Sequence, residues 1–318
     1  MLTIVLALLA ALSNASASVL QRRAAADEPE SDAGVRQAMW WLVHAVRHPA
    51  WVAGAGLLAL STVFQAWALA VGSLSLVQPL LAAELLFTLA VGSLVFRRRP
   101  APGTCLAFVA LAGGLALFLT AADPTAGRST AYAERWLPAA LIVSAVTTGL
   151  VLAARPVRGA PRAALLGSAS AVSFAATAAL LKETTGRRGA GFGTVVSLWP
   201  LYATIAIGVV AFLLLQAALR AGTLVASQPA LTLGDALTSV ALGWALFGER
   251  IALGPRVLPE LIGLLLMGAG SIRLARALSA TGTWDTGAGR MTTRGGHPHR
   301  GGGPETGAVR PSEEEHGL

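Results

Sequence analysis

Gln65-Ala-Trp-Ala-Leu-Ala-Val-Gly72-Ser-Leu-Ser-Leu-Val-Gln78-Pro79 is echoed far downstream by Gln216-Ala-Ala-Leu-Arg-Ala-Gly222-Thr-Leu-Val-Ala-Ser-Gln228-Pro229. In both stretches Gly precedes Gln-Pro at the same interval. With one inserted residue, Glu84 then falls opposite Asp235, Gly92 opposite Gly243 and Phe96 opposite Phe247. Upstream, Val19-Leu20-Gln21-Arg22 is echoed by Leu180-Leu181-Lys182-Glu183. Three matched elements in one order predict a chain built from two related halves.

The surroundings of these segments set the medium. The chain is 54% apolar and only 13% charged, with a mean hydropathy of +0.64, whereas soluble domains are about 25% charged. Its apolar runs are Met1–Leu20, Ala50–Ala70, Gly72–Phe96, Pro102–Thr120, Trp136–Ala154, Ala160–Leu181, Val196–Leu219, Thr223–Phe247 and Val257–Leu278. Most are near the roughly 20 residues a helix needs to cross a hydrocarbon core. They are continuously apolar, not alternating, so helices are expected and not barrel strands.

The fold class expected is therefore an all-α integral membrane protein of nine transmembrane helices in an inverted 4+1+4 repeat. Residues 1–122 form the first four-helix repeat, 123–159 a linker with the lone span, 160–278 the second repeat, and 279–318 a disordered tail. Five spans from one repeat start to the next invert the second copy, an arrangement recurrent among secondary transporters. The first run has small residues Ala15, Ser16 and Ala17 that resemble a signal cleavage site. No basic residue precedes it, and the repeat uses it, so it is read as a span.

Orientation follows from the basic residues. Loops after odd-numbered spans carry Arg22, Arg23, Arg36, Arg47, Arg97–Arg99, Arg155, Arg158, Arg162 and Arg220, and the tail adds more. Loops after even-numbered spans carry fewer: Arg128, Arg135, Lys182, Arg187, Arg188, Arg250 and Arg256. Lys and Arg favour the cytoplasmic side, which predicts a plasma-membrane protein with an external N-terminus and a cytoplasmic tail. Trp40, Trp41, His44, Arg47 and His48 read as an interfacial segment. The net charge of +8 belongs to these loops. No basic stretch interleaved with aromatics suggests nucleic acid.

Candidate site residues are the polar groups inside spans. Glu84 and Asp235 lie near mid-span, where an acid costs about 2.5–3.5 kcal/mol to insert. Such residues face the bundle interior or a water path. Two readings stand: cation coordination or proton coupling, which makes Glu84 and Asp235 the metal ligands, and a protonated or hydrogen-bonded structural role. Gln228, Thr232, Asp235 and Ser239 share one helical stripe. It lines a site or bonds a neighbouring helix. Pro79 and Pro229 are helix kinks that free the carbonyls of Ser75 and Val225, beside Gln78 and Gln228. Lys182, the only lysine in the chain, is either functional or paired with its neighbour Glu183. Asn14, Gln65 and Gln216 are polar residues of similar standing. His44 and His48 are four apart but lack a third ligand. Gly113, Gly114, Gly263, Gly268 and Gly270 read as close-packing positions. No nucleophile–base constellation stands out in the spans, so an enzyme is not expected, and no cofactor is implied.

These features resemble the drug/metabolite transporter superfamily and, within it, the nine-span NIPA-like magnesium permeases. The resemblance rests on Val19-Leu20-Gln21-Arg22-Arg23 closing the first span, Gly-x₅-Gln-Pro opening the third, and Leu246-Phe247-Gly248-Glu249-Arg250 closing the eighth. It covers about 1–278. Arg97-Arg98-Arg99 departs from the Lys/Arg-Glu-Arg ending common in relatives. The resemblance implies a permease working by alternating access, with magnesium or another divalent cation as substrate. Two acids and oxygen ligands suit such an ion. Export of a small organic metabolite or drug, and a non-transporting membrane scaffold, remain the alternative readings. The expected partners are the solute, the lipid bilayer and, as an open option, a second copy in a homodimer.

Overall fold

The computed structural model describes residues 1–26, 49–95, 102–125, 127–187, 197–222, 224–250 and 257–280, with the side chains of 22–26, 224–225, 257 and 277–280 left aside. The interfacial segment with Trp40, His44 and His48, the Arg97–Arg99 run and the tail lie outside these residues. Every regular element described is an α-helix. They are α1 Leu2–Ala26, α2 Pro49–Val71, α3 Leu74–Leu81, α4 Glu84–Val95, α5 Pro102–Ala122, α6 Ala133–Ala153, α7 Ala160–Gly186, α8 Trp199–Ala221, α9 Leu224–Phe247 and α10 Val257–Ala280. Helices α3 and α4 together make one span, Leu74–Val95, so nine candidate spans are present among the described residues. This is a multi-pass membrane protein.

The break between α3 and α4 has a backbone cause. Pro79 has no N–H to return to Ser75. The turn then tightens, with Ala82 N–H donating to Pro79 O at 3.1 Å and Ala83 N–H to Leu80 O at 3.0 Å. Helix α9 runs through Pro229 without such a break. Helix α7 continues past the apolar run ending at Leu181, carrying Lys182 and Glu183 in its last turns.

Packing exploits small residues, because helices in lipid associate by close contact more than by hydrophobic drive. Helices α5 and α10 meet through Gly114, Gly263 and Gly270. A methyl group on Gly114 would lie 2.6 Å from Met267 N, and one on Gly270 2.6 Å from Leu111 N. Gly113 faces open space and Gly268 faces the Leu233 side chain. Helix α1 lies along α2, where Ser61 Oγ donates to Ala10 O at 2.8 Å. Helix α7 lies along α8, where Ser170 Oγ donates to Ala211 O at 2.8 Å. Helix α7 is the most enclosed span, while α6 has no buried residue.

Gly72, in the turn from α2 to α3, abuts Thr3 in the first turn of α1. Its carbonyl accepts from Lys182 Nζ, near the end of α7, at 3.1 Å. The start of α1 and the end of α7 therefore lie at the same end of the bundle, and the two helices run in opposite directions.

Candidate functional site

That shared end is closed by a buried cluster. After α9, Gly248 adopts φ +66°, the left-handed conformation that glycine supplies at helix ends. Gly248 N–H returns to Trp244 O at 3.2 Å and Glu249 N–H to Gly243 O at 3.1 Å. The turn folds the Glu249 side chain back into the protein, where it is 0% exposed. Its carboxylate accepts from Leu74 N–H at 2.7 Å, Ser75 N–H at 2.9 Å and Ser75 Oγ at 2.5 Å. These are free donors of the first turn of α3, where a negative charge is also favoured by the helix dipole. Lys182 Nζ completes the set at 2.5 Å from Glu249 Oε1, and is itself 3% exposed. The Phe247 ring covers the ammonium at 4.8 Å.

Buried ion pairs persist only when further hydrogen bonds satisfy both charges, and here they do. Gly243 makes room for the cluster. A methyl group there would stand 2.3 Å from Glu249 Oε2 and 2.5 Å from Ser75 Oγ. The expected alternative, Lys182 with Glu183, is not what forms. Glu183 instead accepts from Arg187 Nη2 and Ala131 N–H, both at 2.7 Å, tying the start of α6 to the end of α7.

Inward from the cluster runs a polar seam between α3 and α9, which pack together. Gln78 lies one turn beyond Ser75 on α3. Ser239 and Asp235 lie one and two turns beyond Gly243 on α9. At about 1.5 Å per residue, Asp235 is roughly 12 Å from the Gly243 level. Gln78 Nε2, Ser239 Oγ and Asp235 Oδ1 are enclosed without a hydrogen-bond partner among the described residues. Buried polar atoms are nearly always paired in native proteins, so three orphans on facing helices mark a place prepared for something else.

The other expected residues divide. Thr232 Oγ1 donates back to Gln228 O at 3.0 Å on its own helix. Gln228 is half-buried on the same stripe. Glu84 opens α4, as an acid in the first turn of that helix. Helix α9 makes little contact with α4, so Glu84 does not join the Asp235 seam through that pairing. Asn14 is half-buried on α1, which packs on α2, α3 and α4. Among the described residues no group of three or more His, Cys, Asp or Glu side chains gathers as a metal cage.

The sequence singles out Ser75 only for its freed carbonyl and Glu249 only within a span-closing motif, and points to neither side chain as part of a site. The signal for Glu249 is an acid directly after a helix-terminating glycine, in a chain with one lysine.

Comparison with known proteins adds length and little chemistry. An uncharacterised protein of Corynebacterium glutamicum is 29% identical over 287 residues, covering 87% of this chain and 95% of its own length. No family model matches the chain. No solved structure matches it.

Proposed function

We propose that this protein is a secondary transporter of the plasma membrane, of the drug/metabolite transporter type, in which two inverted four-helix halves alternate access to a site between α3 and α9. The observation that carries the reading is the trio of orphaned polar atoms on Gln78, Ser239 and Asp235, placed where one half meets the other. Closure of the bundle end above them by Lys182, Glu249 and Ser75 supports it, since alternating access needs one end sealed at a time. On the basic-residue bias this is the external end, with the tail cytoplasmic.

The repeat gains support from pairs of contacts at matched positions. Ser61 and Ala211 are 150 residues apart, as are Gly72 and Gly222; Ala10 and Ser170 are 160 apart. The α1–α2 hydrogen bond thus joins positions within one residue of those that the α7–α8 bond joins, Gln21 and Lys182 being 161 apart, with donor and acceptor exchanged. Gly72 abuts Thr3 at the start of α1, and Gly222 abuts Ala163 at the start of α7. The opposite directions of α1 and α7 fit an inversion.

The substrate proposed is a small positively charged solute. Magnesium or another divalent cation follows from the resemblance, with Asp235 supplying charge and Ser239 an oxygen. A second reading is favoured by Gln78 Nε2: it is an N–H donor, which a bare cation leaves unpaired. An organic metabolite bearing both an ammonium group and an acceptor would satisfy Asp235 and Gln78 together.

Uptake into proteoliposomes tests this, with magnesium and with radiolabelled amines as separate probes, comparing wild type with Asp235→Asn and Glu84→Gln. Transport abolished by Asp235→Asn is expected. Because Lys182 is the only lysine, its modification by an amine-reactive reagent, separated from that of the α-amino group by peptide mapping, reports opening of the sealed end. Labelling should rise when the transported solute is added. Full transport by the Asp235→Asn protein, or labelling indifferent to every solute, would remove the proposal.

A further inference from the structure

Between the lone helix α6 and the bundle lies an apolar cleft of about 550 Å³, lined by α6, α7, α8 and α9. Trp136, Ala140 and Val143 contribute from α6, Ile207 from α8 and Leu242 from α9, with Arg187 at the end of α7. The volume is that of a small-molecule site. Helix α6 packs on α7 and α9 through Trp136, Ala139 and Val143, yet none of its residues is fully buried, so the cleft leaves that face only partly covered. Walls this apolar offer water few partners. In a membrane protein the filler of the cleft must be apolar.

Two observations define the filler further. The first is Trp136 Nε1, enclosed and without a hydrogen-bond partner among the described residues. A buried indole N–H ordinarily finds an acceptor, and the apolar lining offers none. The second is charge. Glu183 ties the segment before α6 to Arg187, which lines the cleft. That segment and the first turn of α6 carry Arg128 and Arg135, which flank the Tyr132 ring at 3.9 and 5.2 Å. Arg128 also donates to Tyr132 Oη, and Arg135 to Ala245 O at 3.2 Å. Arg128, Arg135 and Arg187 exceed the acids there, exposed Glu134 and Glu183, by one charge, Arg187 itself being paired with Glu183. Tyr132, Trp136, Trp199 and Tyr202 ring the same level, and Trp136 and Trp199 meet edge to face at 5.5 Å. Aromatic residues gather at headgroup depth. The cleft therefore presents cations and an orphan donor at the headgroup level, and apolar walls below.

We infer that this cleft holds one anionic phospholipid, its phosphate at the Arg135–Arg187 rim, an ester carbonyl accepting from Trp136 Nε1, and an acyl chain lying along Ala140, Val143 and Ile207. The lipid fills the space left between α6 and its neighbours α7, α8 and α9. This site is separate from the α3–α9 seam and does not depend on the transport reading.

The test is lipid retention by the full-length protein, released from nanodiscs containing equal phosphatidylglycerol and phosphatidylcholine and weighed by native mass spectrometry. Wild type is expected to retain phosphatidylglycerol in preference. Ala140→Phe fills the cleft without removing any polar contact and should abolish retention. Arg187→Gln should reduce the preference about fivefold, the effect of one basic residue facing an anionic headgroup. Because Arg187 also pairs with Glu183, Arg135→Gln serves as the second rim variant. Brominated phosphatidylglycerol should quench a component of tryptophan fluorescence that Trp136→Phe removes. Equal retention of the two lipids by wild type, or undiminished retention by Ala140→Phe, would overturn the inference.

Discussion

After Gln78-Pro79 the chain breaks at Ala82 and Ala83 and restarts with Glu84, whereas after Gln228-Pro229 helix α9 runs on through Asp235 to Phe247. The same dipeptide thus leads to two outcomes, and the acids that follow inherit different surroundings. Glu84 lies in the first turn of a new helix, where the helix dipole favours its charge. Asp235 sits mid-helix, where the backbone has no free donor to offer. The two bundle ends differ as well. At the positions aligned with Lys182 and Glu249, the first half carries Gln21 and Arg98. On the transport reading proposed above, two equal ends would give no preferred resting state, and the Lys182–Glu249 pair marks the end that seals.

The largest expected effect comes from breaking that seal. Glu249→Gln leaves Lys182 buried without a counter-charge, a change that typically costs about 3–5 kcal/mol. It should appear as a large drop in thermal unfolding temperature in detergent. Pairing it with Lys182→Met removes both charges, and part of the loss should return. A double variant as unstable as the sum of the singles would mean that the two side chains do not act as a pair. Gln21→Ala, at the aligned position of the other half, should have a much smaller effect.

Next in size are the two turn glycines. Gly222→Ala drives a methyl group to 2.9 Å from the Gly159 carbonyl and from the Ala163 side chain. Neither neighbour can rotate away, so a cost of about 1–3 kcal/mol is expected. Gly72→Ala meets the Thr3 methyl first, at 2.0 Å, and that side chain lies in the first turn of α1, where it can turn aside. Gly222→Ala should therefore lower stability more than Gly72→Ala. The reverse order would show that the α1 start is the more rigid of the two.

The seam offers a change of opposite sign. Gln78 Nε2 is buried and unpaired, a condition that costs about 1–3 kcal/mol. Gln78→Met keeps the length and removes the orphan, so stability should rise by up to about that amount while solute transport falls. Unaltered transport with raised stability would reduce Gln78 to a packing residue.

Much of the fold was legible because lipid imposes one rule, that apolar runs become helices. All nine runs appear as candidate spans, displaced by a few residues. The end of α7 is the instructive displacement. The apolar run stops at Lys182, yet the helix continues to Gly186 because Lys182 and Glu183 are neutralised by Glu249 and Arg187. The candidate site was legible in part. Asp235, Ser239 and Gln78 could be named from their polarity inside apolar runs. That Gln78 lies on a helix packed against α9 while Glu84 opens a new helix depends on the break after Pro79, which Pro229 fails to reproduce. Glu249 was illegible because its role depends on a backbone turn folding a loop acid inward, and hydropathy carries no record of that.

The smallest expected effect is also the most direct on the proposed relation between the halves. Ser61→Ala deletes the α2-to-α1 hydrogen bond to Ala10 O, and Ser170→Ala deletes the α7-to-α8 bond to Ala211 O. Interhelical bonds of this kind in membranes average about 0.6 kcal/mol. Both serines are buried and both acceptors are backbone carbonyls, which one lost donor leaves bonded within their own helices. The two variants should therefore lose similar, small amounts, and the double variant should lose their sum because the pairs share no residue. Reversible unfolding in mixed micelles can resolve differences of this size. The exchanged pair is more telling: Ala10→Ser with Ser61→Ala places the donor on the first helix of its half, as Ser170 is in the second. If the contacts are related by the repeat, that swap should restore the stability that Ser61→Ala loses. A swap that fails while each single loss is near the expected value would show that the matched spacing does not carry matched geometry.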